Sequence, residues 1–420
     1  MDKIKVIGQK KLKGEVEVGG AKNSALPIIF STLICAGEHR IVNVPDLVDV
    51  NYALKILTEL GAEVSFDKSK NEVVIFQPDT LSTSAEYDLV RKMRASILVL
   101  GPLLARFGKA RVSLPGGCAI GTRPIDQHLK AIELLGAKVE VSQGYVEATS
   151  KKLHGEEIFF DQPTVGGTEN ALMAAVLADG VTVLKNVARE PEIEDLALCL
   201  NSMGAKISGQ GTGTITIEGV TSLKPLSGYS VIGDRIEAGT FAVAAAITKS
   251  DLLIKGCSPK YLNAFLSSLS TMGVPVEQTE NAFSIYGSKI EKLVPTQVTT
   301  APHPGFPTDL QAQIMTLMTQ AEGVSLIEET IFENRFMHVQ ELVRLGAEIK
   351  TQTRMAQVFG PSALKGAPVM ATDLRASASL ILAGLCADGE TTVSRIYHLD
   401  RGYEKLEKKL SDLGAEVSRV

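Results

Sequence analysis

Leu345-Gly346-Ala347-Glu348-Ile349-Lys350 closes one amphipathic stretch and opens an alternating one, and near-copies recur along the whole chain. They read Leu60-Gly61-Ala62-Glu63-Val64, Leu135-Gly136-Ala137-Lys138-Val139, Met203-Gly204-Ala205-Lys206-Ile207, Met272-Gly273-Val274-Pro275-Val276 and Leu413-Gly414-Ala415-Glu416-Val417. In chain order their glycines are 75, 68, 69, 73 and 68 residues apart. A period of this kind marks a repeated supersecondary unit. The spacing predicts that each Gly ends an amphipathic helix, as in Val50–Leu60, Gln127–Leu135 and Met337–Leu345, where a left-handed cap favours a residue without a Cβ. An alternating strand follows, as in Glu63–Phe66, Lys138–Val141 and Glu348–Thr351. A second strand then folds back as a hairpin, as in Glu72–Phe76 and Thr214–Glu218.

Upstream of each amphipathic helix lies a helix of another kind. Ala25–Ala36, Ala95–Ala105, Asn170–Ala178, Ala238–Thr248, Leu310–Ala321 and Ala376–Ala387 are apolar nearly all round and rich in Ala and Ser. A helix without a polar face is buried on all sides. The strands alternate, so one face of each sheet meets water. The expected fold is therefore α/β with two inverted, inside-out α/β domains, each of three pseudo-symmetric repeats with buried helices and outer sheets. The last repeat ends without its second hairpin strand, and Lys3–Ile7 is available to supply it. The expected domains are then residues 1–20 with 231–420, and residues 21–230, with an active site in the cleft between them. A pure repeat scaffold that only binds partners is the competing reading.

The chain has 420 residues and a formal net charge of −5, which argues against general binding of nucleic acid or anionic membranes. Five Cys form neither a disulfide framework nor a zinc spacing, so a reducing, cytoplasmic setting is expected. The longest apolar run, Ala25–Ala36, is too short to span a bilayer. The six His show no metal spacing, and there is no Walker-type or Rossmann-type Gly signature. Chemistry without a metal or a nucleotide cofactor is expected.

The unusual residues fall at two recurring positions. One is the start of the apolar helix: Gly20-Ala21-Lys22-Asn23-Ser24, Arg91–Ser96 with Arg94, Phe306-Pro307-Thr308-Asp309-Leu310 and Thr372-Asp373-Leu374-Arg375-Ala376-Ser377. The other is the loop into the amphipathic helix: Pro115–Gln127, Ile331-Phe332-Glu333-Asn334-Arg335 and Tyr397–Tyr403. Helix N-termini present unpaired N–H groups and a positive dipole end. Lys22, Arg94, Arg123, Arg335, Arg375 and Arg401 there make a site for more than one anion. Within Ser113–Gln127, Cys118 sits on a loop freed by Gly117 and Gly121, near Arg123 and a helix opened by Arg123-Pro124. That setting lowers a thiol's pKa. Asp309 and Asp373 also suit plain N-caps, and Arg375 suits a local pair with Asp373.

Six motifs resemble the enolpyruvyl transferases over the whole chain: Gly20–Asn23, Leu114–Pro124, Ala301–Asp309, Phe332–His338, Thr372–Ser377 and Asp400–Tyr403. The Cys loop is the sharpest, because the branch acting on shikimate 3-phosphate lacks it. The resemblance implies two inside-out α/β domains and enolpyruvyl transfer from phosphoenolpyruvate to the 3-hydroxyl of UDP-N-acetylglucosamine. Phosphate leaves after addition and elimination through a tetrahedral intermediate, the first committed step of peptidoglycan synthesis. It implies Cys118 as the acid and the thiol labelled by an electrophilic phosphonate such as fosfomycin. Asp309 is implied as the base or the group orienting the hydroxyl, with Arg401 and Asp373 also at the reacting centre. Phosphoenolpyruvate would be held by Lys22, Asn23, Arg123 and Arg401. The UDP-sugar would be held by Asn23, Arg94, Arg123, Pro124, Ile125, Asp126, Gln127, Asp309 and Ile331. Where some members carry Lys-Val-Ser-Val-Gly, this chain reads Gln162-Pro163-Thr164-Val165-Gly166, so no Lys contact arises there. A silent relative that binds the UDP-sugar as a sensor would carry the same binding residues.

Overall fold

Apolar, Ala-rich segments form the innermost helices of this chain. The computed structural model describes residues 2–90, 93–114 and 124–420. They form two compact units, one from Gly20 to Ile232 and the other of the residues up to Gly19 with Gly233–Val420. In the first unit the apolar helices are α1 (Lys22–Ser31), α2 (Leu100–Phe107) and α3 (Val165–Ala175). In the second they are α4 (Arg235–Ile247), α5 (Gln311–Met318) and α6 (Leu374–Cys386). Every residue of α4 is buried, and α4, α5 and α6 touch one another. Close approach depends on small residues: a Cβ on Gly239 would lie 2.5 Å from Leu310, just before α5. Large side chains fill the remaining space; burying Phe241 fully contributes roughly 2–3 kcal/mol.

Among the described residues there are six four-stranded sheets, three in each unit, with one common pattern. An edge strand runs parallel to the strand that follows the apolar helix, and a hairpin continues antiparallel. Gln297–Thr299, Gly323–Glu328, Met355–Gly360 and Glu348–Gln352 form such a sheet in that order. In the last repeat Ile4–Ile7 takes the hairpin position, antiparallel to both Glu390–Ser394 and Glu416–Arg419. The six repeat glycines all adopt positive φ, between 86° at Gly273 and 112° at Gly61. At Gly61 the N–H bonds back to the helix while the chain turns into the next strand, a conformation that strains an L side chain.

Local differences from the periodicity have physical causes. Ala95–Ala105 is not one α-helix: Arg94–Val99 is a 3-10 turn and α2 begins at Leu100. The ring of Pro102 clashes with the carbonyl of Leu98 in α geometry, so the α-helix cannot extend further back. The helix expected at Arg123-Pro124 begins at Asp126 instead. Ile125 is not helical (φ −106°, ψ 10°), and the Pro124 carbonyl accepts a hydrogen bond from Arg94 Nη2 at 3.2 Å. α3 begins five residues before Asn170, because Thr164 caps it through the N–H of Gly167. Among the described residues no helix is long and apolar enough to cross a membrane.

Ile4 is fully buried in the central part of its sheet. Ile4→Ala is expected to destabilise the second unit by about 3 kcal/mol, measured by urea unfolding; a loss within experimental error would contradict the central placement of this strand.

Candidate active site

Pro307 is extended (φ −71°, ψ 126°) and delivers the chain into a 3-10 turn, Thr308–Leu310, at the foot of α5. Asp309 lies inside that turn, and its side chain caps neither the turn, which Pro307 precedes, nor α5, which Leu310 precedes. Its Oδ1 accepts a hydrogen bond from Arg335 Nη2 at 2.8 Å and its Oδ2 one from Arg375 Nη2 at 2.9 Å. Both arginine side chains are 4% exposed, against 27% for Asp309. Burial alone would push the Asp309 carboxyl up, but the guanidinium groups of Arg375 and Arg335 outweigh it and hold it well below the usual carboxylate range. Asp309 is thus a fixed, ionised acceptor.

Asp373 does cap: its Oδ1 accepts from the backbone N–H of Arg375 at 2.8 Å and of Ala376 at 3.1 Å. Arg375 meets Asp373 only through its backbone; its guanidinium goes to Asp309. That guanidinium also lies 5.4 Å from the ring centre of buried Tyr403. The Tyr403 hydroxyl pairs with Thr240 Oγ1 of α4 at 2.8 Å and accepts from Gln313 Nε2 of α5 at 3.1 Å. Gln313 Nε2 also donates to the backbone carbonyl of Asp309 at 3.0 Å. One tyrosine thus links three inner helices beneath the carboxylate.

Arg401 ends the 3-10 turn Ile396–Arg401 and is half-buried. The imidazole of His398, one turn earlier in the same segment, is pushed down by burial and feels the charges of Asp373, Arg401 and Arg395. The neighbouring Asp400 is held by Arg419, at 2.6 and 3.1 Å. Ile331, half-buried, lies on the loop that leads to Arg335. This unit therefore links Asp309, Arg335, Arg375 and Asp373 directly.

In the other unit Lys22 opens α1, and its Nζ lies 3.4 Å from Asp49 Oδ2. Asp49 was not foreseen. The helical spacing carried the signal, since Asp49 shares a face with buried Ala53 and Leu57. Asn23 is half-buried beside it. Ser24, the next residue, donates its hydroxyl hydrogen bond to buried Asp195, which also accepts from the Tyr229 hydroxyl at 2.6 Å. The Gln127 side chain is engaged on all sides: Nε2 donates to Asp126 and Asp161 carboxylates at 2.9 Å each, and Oε1 accepts the Asp161 N–H at 3.0 Å. In the Gln162–Gly166 stretch Gln162, Pro163 and Val165 are exposed, whereas Gly166 packs closely: a Cβ there would lie 2.9 Å from His128. Cys118 and Arg123, with Arg91 and Lys92, lie outside the described residues.

Buried acids recur in this unit. Burial, followed by the like charges of Glu192 and Glu190, pushes the Glu169 carboxyl up to about 8. In the unit that carries Asp309, sequence reading also missed Glu329, which is buried just after strand Gly323–Glu328. Its signal was the strand alternation, which puts it on the same face as buried Ser325 and Ile327. Helix starts lined with cations suit anions, and a clamped carboxylate suits a hydroxyl.

Comparison with known proteins shows the family of the chain. The family profile described as EPSP synthase (3-phosphoshikimate 1-carboxyvinyltransferase) matches residues 6–410. A protein of Desulfatibacillum aliphaticivorans named UDP-N-acetylglucosamine 1-carboxyvinyltransferase is 56% identical over 420 residues, covering 100% of both chains. One of the same name from Bdellovibrio bacteriovorus is 56% identical over 416 residues, covering 99% of each. Among solved structures, the enolpyruvyl transferase NikO from Streptomyces tendae superposes with a TM-score of 0.89 at 27% identity, covering 100% of this chain and 99% of the other. EPSP synthase from Acinetobacter baumannii, at a TM-score of 0.78 and 19% identity with full coverage of both, shares the fold.

Two outcomes follow from the charges. Asp309→Ala leaves two buried guanidinium groups without their carboxylate, and urea unfolding should show a loss of about 3 kcal/mol; an unchanged midpoint would contradict the clamp. Glu169 binds its proton more tightly folded than unfolded, where a Glu titrates at about 4.3. Its contribution therefore falls as pH rises from that value through about 8. Glu169→Gln should stabilise the protein at pH 8.5 by about 1–2 kcal/mol and leave it nearly unchanged at pH 4, read from unfolding at both pH values. Equal effects at the two would refute the assignment.

Proposed function

Because this chain belongs to the enolpyruvyl transferase family, among its UDP-N-acetylglucosamine 1-carboxyvinyltransferase relatives, we propose that it transfers enolpyruvate from phosphoenolpyruvate to the 3-hydroxyl of UDP-N-acetylglucosamine. The observation that carries this reading is the 54–56% identity along the full length of relatives bearing that name. The Cys118 loop agrees with it, since the shikimate 3-phosphate branch lacks that loop.

The chemistry divides into two steps. The sugar 3-oxygen forms a bond to C2 of phosphoenolpyruvate while C3 gains a proton and the hydroxyl gives one up. C3 then loses a proton and the C2–O bond to phosphate breaks, leaving the enol ether and inorganic phosphate. Cys118 serves as the acid at C3. Asp309 faces the hydroxyl, and its electrostatics select between the two roles open to it. A carboxylate held well below its usual range by two guanidinium groups is a weak base, so it orients the hydroxyl by accepting its hydrogen bond. Proton removal by Asp309 would need the substrate to loosen its ion pairs. Lys22, Arg123 and Arg401 neutralise phosphoenolpyruvate, and Asn23 serves both substrates. Arg94, Pro124, Ile125, Asp126, Gln127 and Ile331 line the UDP-sugar, with Gln127 acting through its backbone because its side chain is engaged elsewhere. Asp373 orients Arg375 by capping its helix. The reading draws on residues of both units for one pair of substrates, and includes a cytoplasmic setting with neither nucleic acid nor membrane as partner.

A turnover assay tests this. Phosphate should be released only when phosphoenolpyruvate and UDP-N-acetylglucosamine are both present; release with shikimate 3-phosphate in place of the UDP-sugar overturns the reading. Binding without turnover would instead identify a sensor. In the same assay Cys118→Ala should lose on the order of 10²–10⁴-fold in rate, while Cys118→Asp, which still carries a proton, recovers most of it.

A further inference from the structure

Glu329 is 1% exposed, and the four hydrogen-bond donors to its carboxylate are all neutral. Oε1 accepts from Thr300 Oγ1 at 2.9 Å, from the Ile331 N–H at 2.9 Å and from the Phe332 N–H at 3.1 Å. Oε2 accepts from Thr308 Oγ1 at 2.8 Å. A carboxylate buried without a hydrogen-bonded cation is costly unless every lone pair is met. Here the donors include Thr308 of the Asp309 turn and the N–H groups of Ile331 and Phe332, segments distant from each other along the chain. Thr308 immediately precedes Asp309, whereas Ile331 and Phe332 begin the loop that carries Arg335. The same junction is reinforced by Thr330, whose N–H donates to Thr300 Oγ1 at 2.9 Å and whose hydroxyl donates to the Thr300 carbonyl at 2.5 Å.

Resting on the functional reading above, we propose that Glu329 is a positioning residue for the UDP-sugar: it fixes the Asp309 turn against the Ile331 loop, so that the hydroxyl acceptor and the sugar-lining side chain keep one spacing. Without it the Thr330–Thr300 bonds hold the loop to Thr300, and the Arg335–Asp309 side-chain bond at 2.8 Å reaches the Asp309 turn without defining the backbone on either side. Glu329 itself touches neither substrate. Its amide isostere preserves the arrangement, because Gln Oε1 accepts the two N–H groups and the Thr300 hydroxyl while Gln Nε2 donates to Thr308 Oγ1.

Steady-state kinetics of the full chain, with each substrate varied in turn, tests the proposal. Glu329→Ala should raise KM for UDP-N-acetylglucosamine at least tenfold and move KM for phosphoenolpyruvate less than threefold. Glu329→Gln should restore the UDP-sugar KM to within threefold of the parent. Thr308→Val removes one bond of the set and, should the Ala variant fail to fold, is expected to raise the same KM severalfold. Equal changes in both KM values, or a lower melting temperature with both unchanged, overturn the positioning role. If the parent protein releases no phosphate, the functional reading fails. Calorimetric binding of UDP-N-acetylglucosamine to the same variants then decides the positioning role by the same tenfold criterion.

Discussion

Asp309 is held between Arg335 and Arg375, and the second unit is arranged around that ion triad. Two guanidinium groups that are 4% exposed have lost most of their water, and one carboxylate between them returns part of the cost. Such a triad is favourable only when its geometry is fixed. The fixing is visible: Asp373 orients the start of α6, Tyr403 lies against the Arg375 guanidinium, and Gln313 holds the Asp309 backbone. Each support comes from a different inner helix or the turn beside it. The chemistry of the carboxylate follows from the same constraint, because the charges that keep Asp309 ionised also make it a poor proton acceptor.

The layering makes those supports possible. With helices inside and sheets outside, the starts of α5 and α6 belong to one packed core, and side chains at those starts are placed as firmly as the core itself. Small residues set the helix spacing, as at Gly239 against Leu310. Polar groups that enter this interior, such as Tyr403 and Gln313, find partners on neighbouring helices, as buried polar groups must. In the other unit buried Ser24 and Asp195, with half-buried Tyr229, form a similar set beside Lys22 and Asn23.

Buried acids are the common device of both units. Asp49 meets Lys22 and Glu329 meets the Ile331 N–H, two residues given a substrate role by the family resemblance, while Asp195 holds Ser24, the chain neighbour of Asn23. None is itself one of those residues. Their burial lets a single side chain impose a distance on two segments, since a desolvated carboxylate holds its donors more tightly than one in water.

The repeat period, the six glycine turns and the all-round apolar helices were legible in the sequence because they depend on local chemistry: a left-handed cap, a missing polar face, a strand's alternation. The motifs legible there also named the family, and the family comparisons agree. Fine helix boundaries were not legible where Pro102 and the Pro124 carbonyl intervened. Nor could sequence decide whether Asp309 was a cap or an ion-pair partner, or whether Arg375 turned to Asp373 or Asp309. Those choices rest on residues 26 and 66 positions away along the chain. Only the packing of α4, α5 and α6 brings such groups within hydrogen-bond reach, so only the tertiary structure decided the charge state of the carboxylate.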